Sequence, residues 1–129
     1  SVLVIINPVF SEAYRILSIY PFQSRSHQMM FDAISKILAR RGHQVDVMTV
    51  YPLKNPPPNY RVVVNLEGKT KSLVNQWDVK FASELGDDTL PIISIPFGNG
   101  LCEYLALPEL QQIIKNPPQD PPYDLVIVE

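Results

Sequence analysis

The chain has 129 residues, 46% of them apolar and 19% charged, which suits one packed domain and excludes both a disordered tail and two full-sized domains. The formal net charge is -2 and no basic stripe runs along the sequence, so nothing electrostatic points to a nucleic-acid partner. Cys102 is the single cysteine, which excludes an intrachain disulfide and a CxxC-type zinc site.

The sequence opens on Ser1 and reaches Glu129 directly after the apolar run Leu125, Val126, Ile127, Val128. Parallel strands need helical cover on both faces, so the chain reads as a fragment of a longer protein, open at both ends. Val2 to Phe10 is apolar apart from Asn7, carries no charge and leads into Ser11, Glu12 and Ala13. Small residues at 11 and 13 allow signal-peptidase cleavage after Ala13, so residues 1–13 read as the remnant of a signal peptide. The alternative is a short first strand, and Pro8 weakens both readings.

Arg15 to Tyr20 (RILSIY) predicts the first strand, closed by Pro21. After Gln23, Ser24 and Arg25, Ser26 is placed to cap a helix from His27 to about Arg41. Met30, Phe31, Ile34, Ile37 and Leu38 give that helix one broad apolar face, expected to pack on the sheet. Gly42 takes the position after its end, beyond Arg40 and Arg41 in the last turn. Val45 to Val50 predicts a second strand, parallel to the first because a crossover helix joins them.

Pro52 and Pro56-Pro57-Pro58 form a stiff connector to a third strand, Arg61 to Leu66. Leu73 to Leu85 repeats apolar residues at helical spacing before Gly86. Gly98-Asn99-Gly100 predicts a turn and Leu101 to Ala106 a short helix. Pro108 opens a second helix carrying Leu110, Ile113 and Ile114, and prolines from 117 to 122 halt the chain before a last strand, Asp124 to Val128. Met29, Met30, Phe31 and Trp77 read as core or pocket lining, and Phe97 as part of a flexible lip.

His27 stands out chemically. It begins the first helix, just past the carboxyl end of the first strand, and ligands of parallel α/β sheets bind at that edge. The positive end of a helix dipole disfavours an imidazolium, and only a neutral imidazole can accept a proton as a general base. The plain alternative is a surface histidine at a helix start. His43 follows Gly42 at the opposite edge and is no candidate.

A carboxylate on the other ring nitrogen would steady such a base. The last strand ends at Glu129, on the His27 edge, and begins at Asp124, on the far one; topology therefore selects Glu129. Asp32 reads as a complement to the helix dipole, and Asp46, in mid-strand, is assigned no role. No GxGxxG or GxxxxGK[ST] stretch follows the first strand, which argues against a dinucleotide-binding oxidoreductase. The two histidines lie at opposite ends of one helix, so no metal site is expected between them.

The stretches Tyr14-Arg15-Ile16-Leu17 with Pro21, Ser26-His27-Gln28-Met29-Met30-Phe31, Leu38 to Val45, Tyr51-Pro52-Leu53-Lys54 and Tyr123 to Glu129 together resemble the UDP-glycosyltransferases. The likeness is to the N-terminal, acceptor-binding domain of the insect, glucuronosyltransferase-like members. It implies a Rossmann-like parallel sheet over residues 14–129, the truncated first half of a two-domain GT-B fold whose C-terminal UDP-sugar domain is absent. It also implies a cleaved signal peptide and a lumenal, membrane-anchored enzyme of the endoplasmic reticulum, the anchor lying in the absent C-terminal part.

The family's base falls on His27 and its partner acid on Glu129, where an aspartate is usual; a later carboxylate is the alternative partner. The implied reaction moves a hexosyl or glucuronosyl group from a UDP-sugar to a small lipophilic acceptor, with inversion and with no metal or cofactor. The chain by itself is expected to be inactive, lacking the donor half. The competing reading is a non-catalytic small-molecule binding domain on the same scaffold, with His27 only hydrogen-bonding the ligand.

Overall fold

The computed structural model describes residues 12–69, 83, 94 and 98–129. Residues 1–11 of the expected signal remnant, the Leu73 to Leu85 stretch apart from Ser83, Trp77 and Phe97 lie outside them. The elements are β1 (Arg15–Tyr20), α1 (Arg25–Arg40), β2 (Gln44–Thr49), β3 (Tyr60–Asn65), a 3-10 helix (Asn99–Ala106), α2 (Pro108–Lys115) and β4 (Leu125–Val128). They build a small mixed α/β domain, a parallel four-stranded sheet in the order β3-β2-β1-β4 with helices on both faces. This arrangement is consistent with a Rossmann-like fold.

The strand order decides where the helices go. From β1 through α1 to β2 the chain steps one way across the sheet; from β3 to β4 it returns past β2 and β1. Right-handed crossovers in opposite directions leave their helices on opposite faces. The two cores agree with that. Tyr20, Ala39, Val45, Val47 and Tyr60 pack on the α1 side, while Met48, Val50, Val64 and Leu66 pack with Tyr104 and Leu110 on the other.

A bulge keeps β3 in phase with both cores. Val62 pairs with Val47 and Val64 with Met48, leaving Val63 as the extra residue. An inserted residue reverses the alternation of faces, so Val62 serves the α1-side core and Val64 the opposite one. The connector of residues 50–59 contains no helix. A six-residue strand rises about 20 Å, and a polyproline segment covers about 3.1 Å per residue, so ten extended residues return the chain to the start of β3. Asn59 closes the connector at φ 66, a left-handed conformation that asparagine tolerates.

Helix α1 departs from expectation at its start and in its facing. Ser24, at φ -121 and ψ 120, is the N-cap, so the helix begins two residues before His27. Its carboxyl end matches expectation, with Arg41 at the C-cap and Gly42 following at φ 95. The buried side chains are Gln28, Asp32, Ser35 and Ala39, whereas Met29, Met30, Ile34 and Ile37 are exposed and only Phe31 and Leu38 join the core edge.

The polar face can be buried because most of its groups find partners, Gln28 Oε1 being left without one. Asp32 Oδ1 accepts hydrogen bonds from Gln28 Nε2 at 2.9 Å and from the Tyr60 hydroxyl at 3.1 Å. The Tyr20 and Ser35 hydroxyls meet at 2.7 Å. Asp32 is therefore an internal acceptor for β3 rather than a complement to the helix dipole. Burial and the Asp32 carboxylate both hold the Tyr60 hydroxyl well above its ordinary pKa. Tyr60→Phe, which leaves Asp32 with one donor fewer, should lower the unfolding free energy by about 1–2 kcal/mol in urea titrations.

The remaining elements shift slightly. Gly98 alone remains in the predicted turn, because Asn99 and Gly100 already belong to the 3-10 helix. Pro108 opens α2 as expected, where its missing N–H is not needed. Strand β4 starts at Leu125, since Asp124 is spent on the turn into it: its Oδ2 accepts from the Arg15 backbone N–H at 2.7 Å.

Candidate active site

Strands β1 and β4 are parallel neighbours whose connections depart in opposite directions. Their carboxyl ends therefore open a crevice of the kind that receives ligands in α/β sheets. His27 reaches this crevice from the first turn of α1, and Glu129 from the residue after β4. The Glu129 backbone N–H donates to the Ile19 carbonyl at 3.2 Å, which holds the end of β4 against the end of β1.

The two side chains meet, with 3.0 Å between His27 Nδ1 and Glu129 Oε1. The His27 side chain is 49% exposed and that of Glu129 10%. The imidazole is open to a reactant while its partner carboxylate is withdrawn. The Phe22 ring lies 4.9 Å from the His27 ring, centroid to centroid, inclined by 54°. Burial pushes the Glu129 carboxyl above its ordinary pKa, opposed by the hydrogen bond and charge of His27 and by the Phe22 backbone N–H.

With Glu129 ionised, its contact to Nδ1 calls for a proton on that nitrogen, leaving the lone pair of a neutral ring on Nε2. The pair can accept a proton from a hydroxyl brought to Nε2 and stabilise the charge that develops. The raised Glu129 value also has a stability consequence. A carboxyl whose folded pKa exceeds its unfolded one contributes stability fully at low pH and loses it as pH rises through the folded value. At neutral pH the ionised side chain therefore weakens the fold. Glu129→Gln should raise the urea midpoint at pH 7, the gain vanishing in acid; equal midpoints at both pH values would contradict this.

The other sequence candidates lie elsewhere. His43 sits at the opposite edge, where its Nδ1 accepts from the Tyr14 backbone N–H at 3.1 Å. Met29 and Met30 lie outside the buried core, exposed on α1. Among the described residues, no group of three or more His, Cys, Asp or Glu side chains could hold a metal ion. No helix among them is long and apolar enough to cross a membrane.

Asp46, assigned no role from sequence, is the most heavily partnered side chain of the far edge. Arg61 gives it Nε at 2.9 Å and Nη2 at 3.0 Å, Arg15 gives it Nη2 at 2.9 Å, and the Tyr123 hydroxyl lies at 2.8 Å. Burial would raise this carboxyl, but the hydrogen bonds from Arg61, Tyr123 and Arg15 outweigh it and hold it below its ordinary value. Burial and the Asp46 carboxylate push the Tyr123 hydroxyl up to about 12. A recess of about 270 Å³ adjoins this cluster, lined by Gln44, Asp46, Asn59, Tyr60 and Arg61. A lone aspartate inside an apolar strand, with an arginine in each neighbouring strand, is the signal that could have marked it.

Comparison with known proteins adds a partial likeness. UDP-glucosyltransferase 2 of Dactylopius coccus is 41% identical over 49 residues, covering 38% of this chain and 10% of the relative. UDP-glycosyltransferase UGT5 of the same organism is 37% identical over 51 residues, covering 40% of this chain and 10% of the relative. The chain thus spans about a tenth of the length of the curated relatives it matches. No known family profile matches it, and no solved structure does. The chain carries partial homology to insect UDP-glycosyltransferases.

Proposed function

We propose that this chain is the acceptor-side domain of a UDP-glycosyltransferase of the two-domain GT-B kind, in which His27 is the general base and Glu129 orients it. The observation that carries the reading is the 3.0 Å contact between His27 Nδ1 and Glu129 Oε1 at the shared carboxyl edge of β1 and β4. The partial likeness to two insect UDP-glycosyltransferases supports the choice of sugar transfer over other proton-abstraction chemistry.

In the proposed reaction the acceptor hydroxyl approaches His27 Nε2. As its oxygen attacks the anomeric carbon of the UDP-sugar, the proton passes to Nε2, the bond to UDP breaks with its electron pair leaving on the diphosphate, and the configuration inverts. Glu129 steadies the imidazolium formed in that step. The half-exposed ring suits a small lipophilic acceptor arriving from the open side. The donor is held by a second domain, so that the cleft between the two aligns the reactants. In this reading the whole protein works at the lumenal face of the endoplasmic reticulum, behind a cleaved leader, and the chain by itself turns nothing over.

The test uses the protein that joins this chain to its donor-binding half, a UDP-sugar and a phenolic acceptor. The expected product is a glycoside whose anomeric configuration is opposite to the donor's, identified by NMR. Acceptor binding without any glycoside would instead identify a carrier domain, and a glycoside of retained configuration would exclude the single displacement. Glu129→Gln should reduce kcat by less than loss of the base does if the carboxylate only steers the ring, and by a comparable amount if it also stabilises the imidazolium.

A further inference from the structure

The inward side of α1 is polar; its outward side is not. Met30, Ile34 and Ile37 are 59%, 45% and 50% exposed, and Met29 beside them is 70% exposed. At about 100° per residue, positions 30, 34 and 37 share a sector of roughly 60°. That sector lies opposite the buried Gln28, Asp32, Ser35 and Ala39. The stripe points away from the sheet.

The charges around the stripe are of one sign. Arg40 and Arg41 are exposed at its carboxyl end, whereas Arg25 in the first turn lies toward the sheet side, its guanidinium 4.6 Å from the Tyr51 ring centroid. The one acid on α1, Asp32, is buried beneath the helix and engaged by Gln28 and Tyr60. The outward face of α1 thus combines apolar side chains with cations and no exposed carboxylate, although the chain as a whole carries a net charge of -2.

We propose that this face docks on an anionic lipid surface, with α1 lying in the plane of the interface. A helix of 16 residues is about 24 Å long, and a basic amphipathic helix of this kind seats its apolar side at the boundary between headgroups and acyl chains. The arginines favour an acidic membrane over a neutral one, because anionic headgroups attract cations held within a Debye length of the surface. Docking does not depend on His27 acting as a base. If it does, the first turn of the same helix holds that base near lipid, where lipophilic acceptors concentrate.

The test is co-sedimentation of the chain with phosphatidylcholine vesicles containing about 30% phosphatidylserine, and with pure phosphatidylcholine vesicles, at low and high salt. The expected result is binding to the anionic vesicles that weakens with salt. Joint Met30→Ser, Ile34→Ser and Ile37→Ser replacement should reduce it by about tenfold or more, given the apolar area withdrawn. Arg40→Glu with Arg41→Glu should reduce it severalfold; these two are surface residues, so this pair decides if the serine variant does not give a native circular dichroism spectrum.

Absence of binding, equal binding to both vesicle types, or binding that survives the decisive replacement overturns the proposal. So does a dimer in sedimentation equilibrium that Ile34→Ser dissociates, since the stripe would then belong to a second copy of the chain.

Discussion

Asp46→Ala should lower the unfolding free energy by about 3 kcal/mol at pH 7, toward the low end of what breaking a buried ion pair costs. Asp46 is 3% exposed, and its partners come from three places in the sheet: Arg15 on β1, Arg61 on β3 and Tyr123 just ahead of β4. Removing the carboxylate leaves the Arg15 guanidinium, on a side chain only 11% exposed, without its counter-charge. The Arg61 side chain is 63% exposed and can turn to water, which keeps the loss from being larger.

The pH dependence follows from the depressed Asp46 value. A carboxyl whose folded pKa lies below its unfolded one contributes stability fully above the unfolded value and loses it as pH falls through the folded value. The wild-type and Asp46→Ala proteins should therefore converge in strong acid and separate as the pH rises toward neutrality. Urea titrations at several pH values check this. A neutral-pH difference under about 1 kcal/mol would reduce the cluster to the rank of a surface ion pair.

Much of the sheet was legible because its strands are apolar, β-branched runs punctuated by proline and glycine. RILSIY, QVDVMT, YRVVVN and LVIV all form strands, each within a residue or so of its predicted limits. The meeting of His27 and Glu129 was legible too, for a topological reason: parallel strands send their carboxyl ends to one edge.

The facing of α1 was not legible. Periodicity reports that a helix has an apolar stripe, but the side that meets the sheet depends on what the sheet offers. Here it offers the hydroxyls of Tyr20 and Tyr60, which satisfy Ser35 and Asp32. Asp46 was hidden for a similar reason. Its partners Arg15 and Arg61 lie 31 and 15 residues away in sequence, and only strand register brings them together.

The second large effect concerns the base. His27→Ala removes the group proposed to take the acceptor proton, and a positioned general base supplies roughly 10²–10⁴-fold in rate. The loss should appear in kcat, because the proton moves only in the transition state, whereas the acceptor is held by contacts made before reaction. The imidazole is half exposed and rests on Phe22 and Glu129 rather than in the core. Its removal should therefore leave the fold intact.

The most direct measurement is kcat together with acceptor Kd for His27→Ala, in the two-domain protein proposed above. A fall in kcat of about 10²-fold or more, with Kd essentially unchanged, is the result the His27–Glu129 assignment predicts. A near-normal kcat would contradict it and leave His27 as a surface residue at the start of a helix.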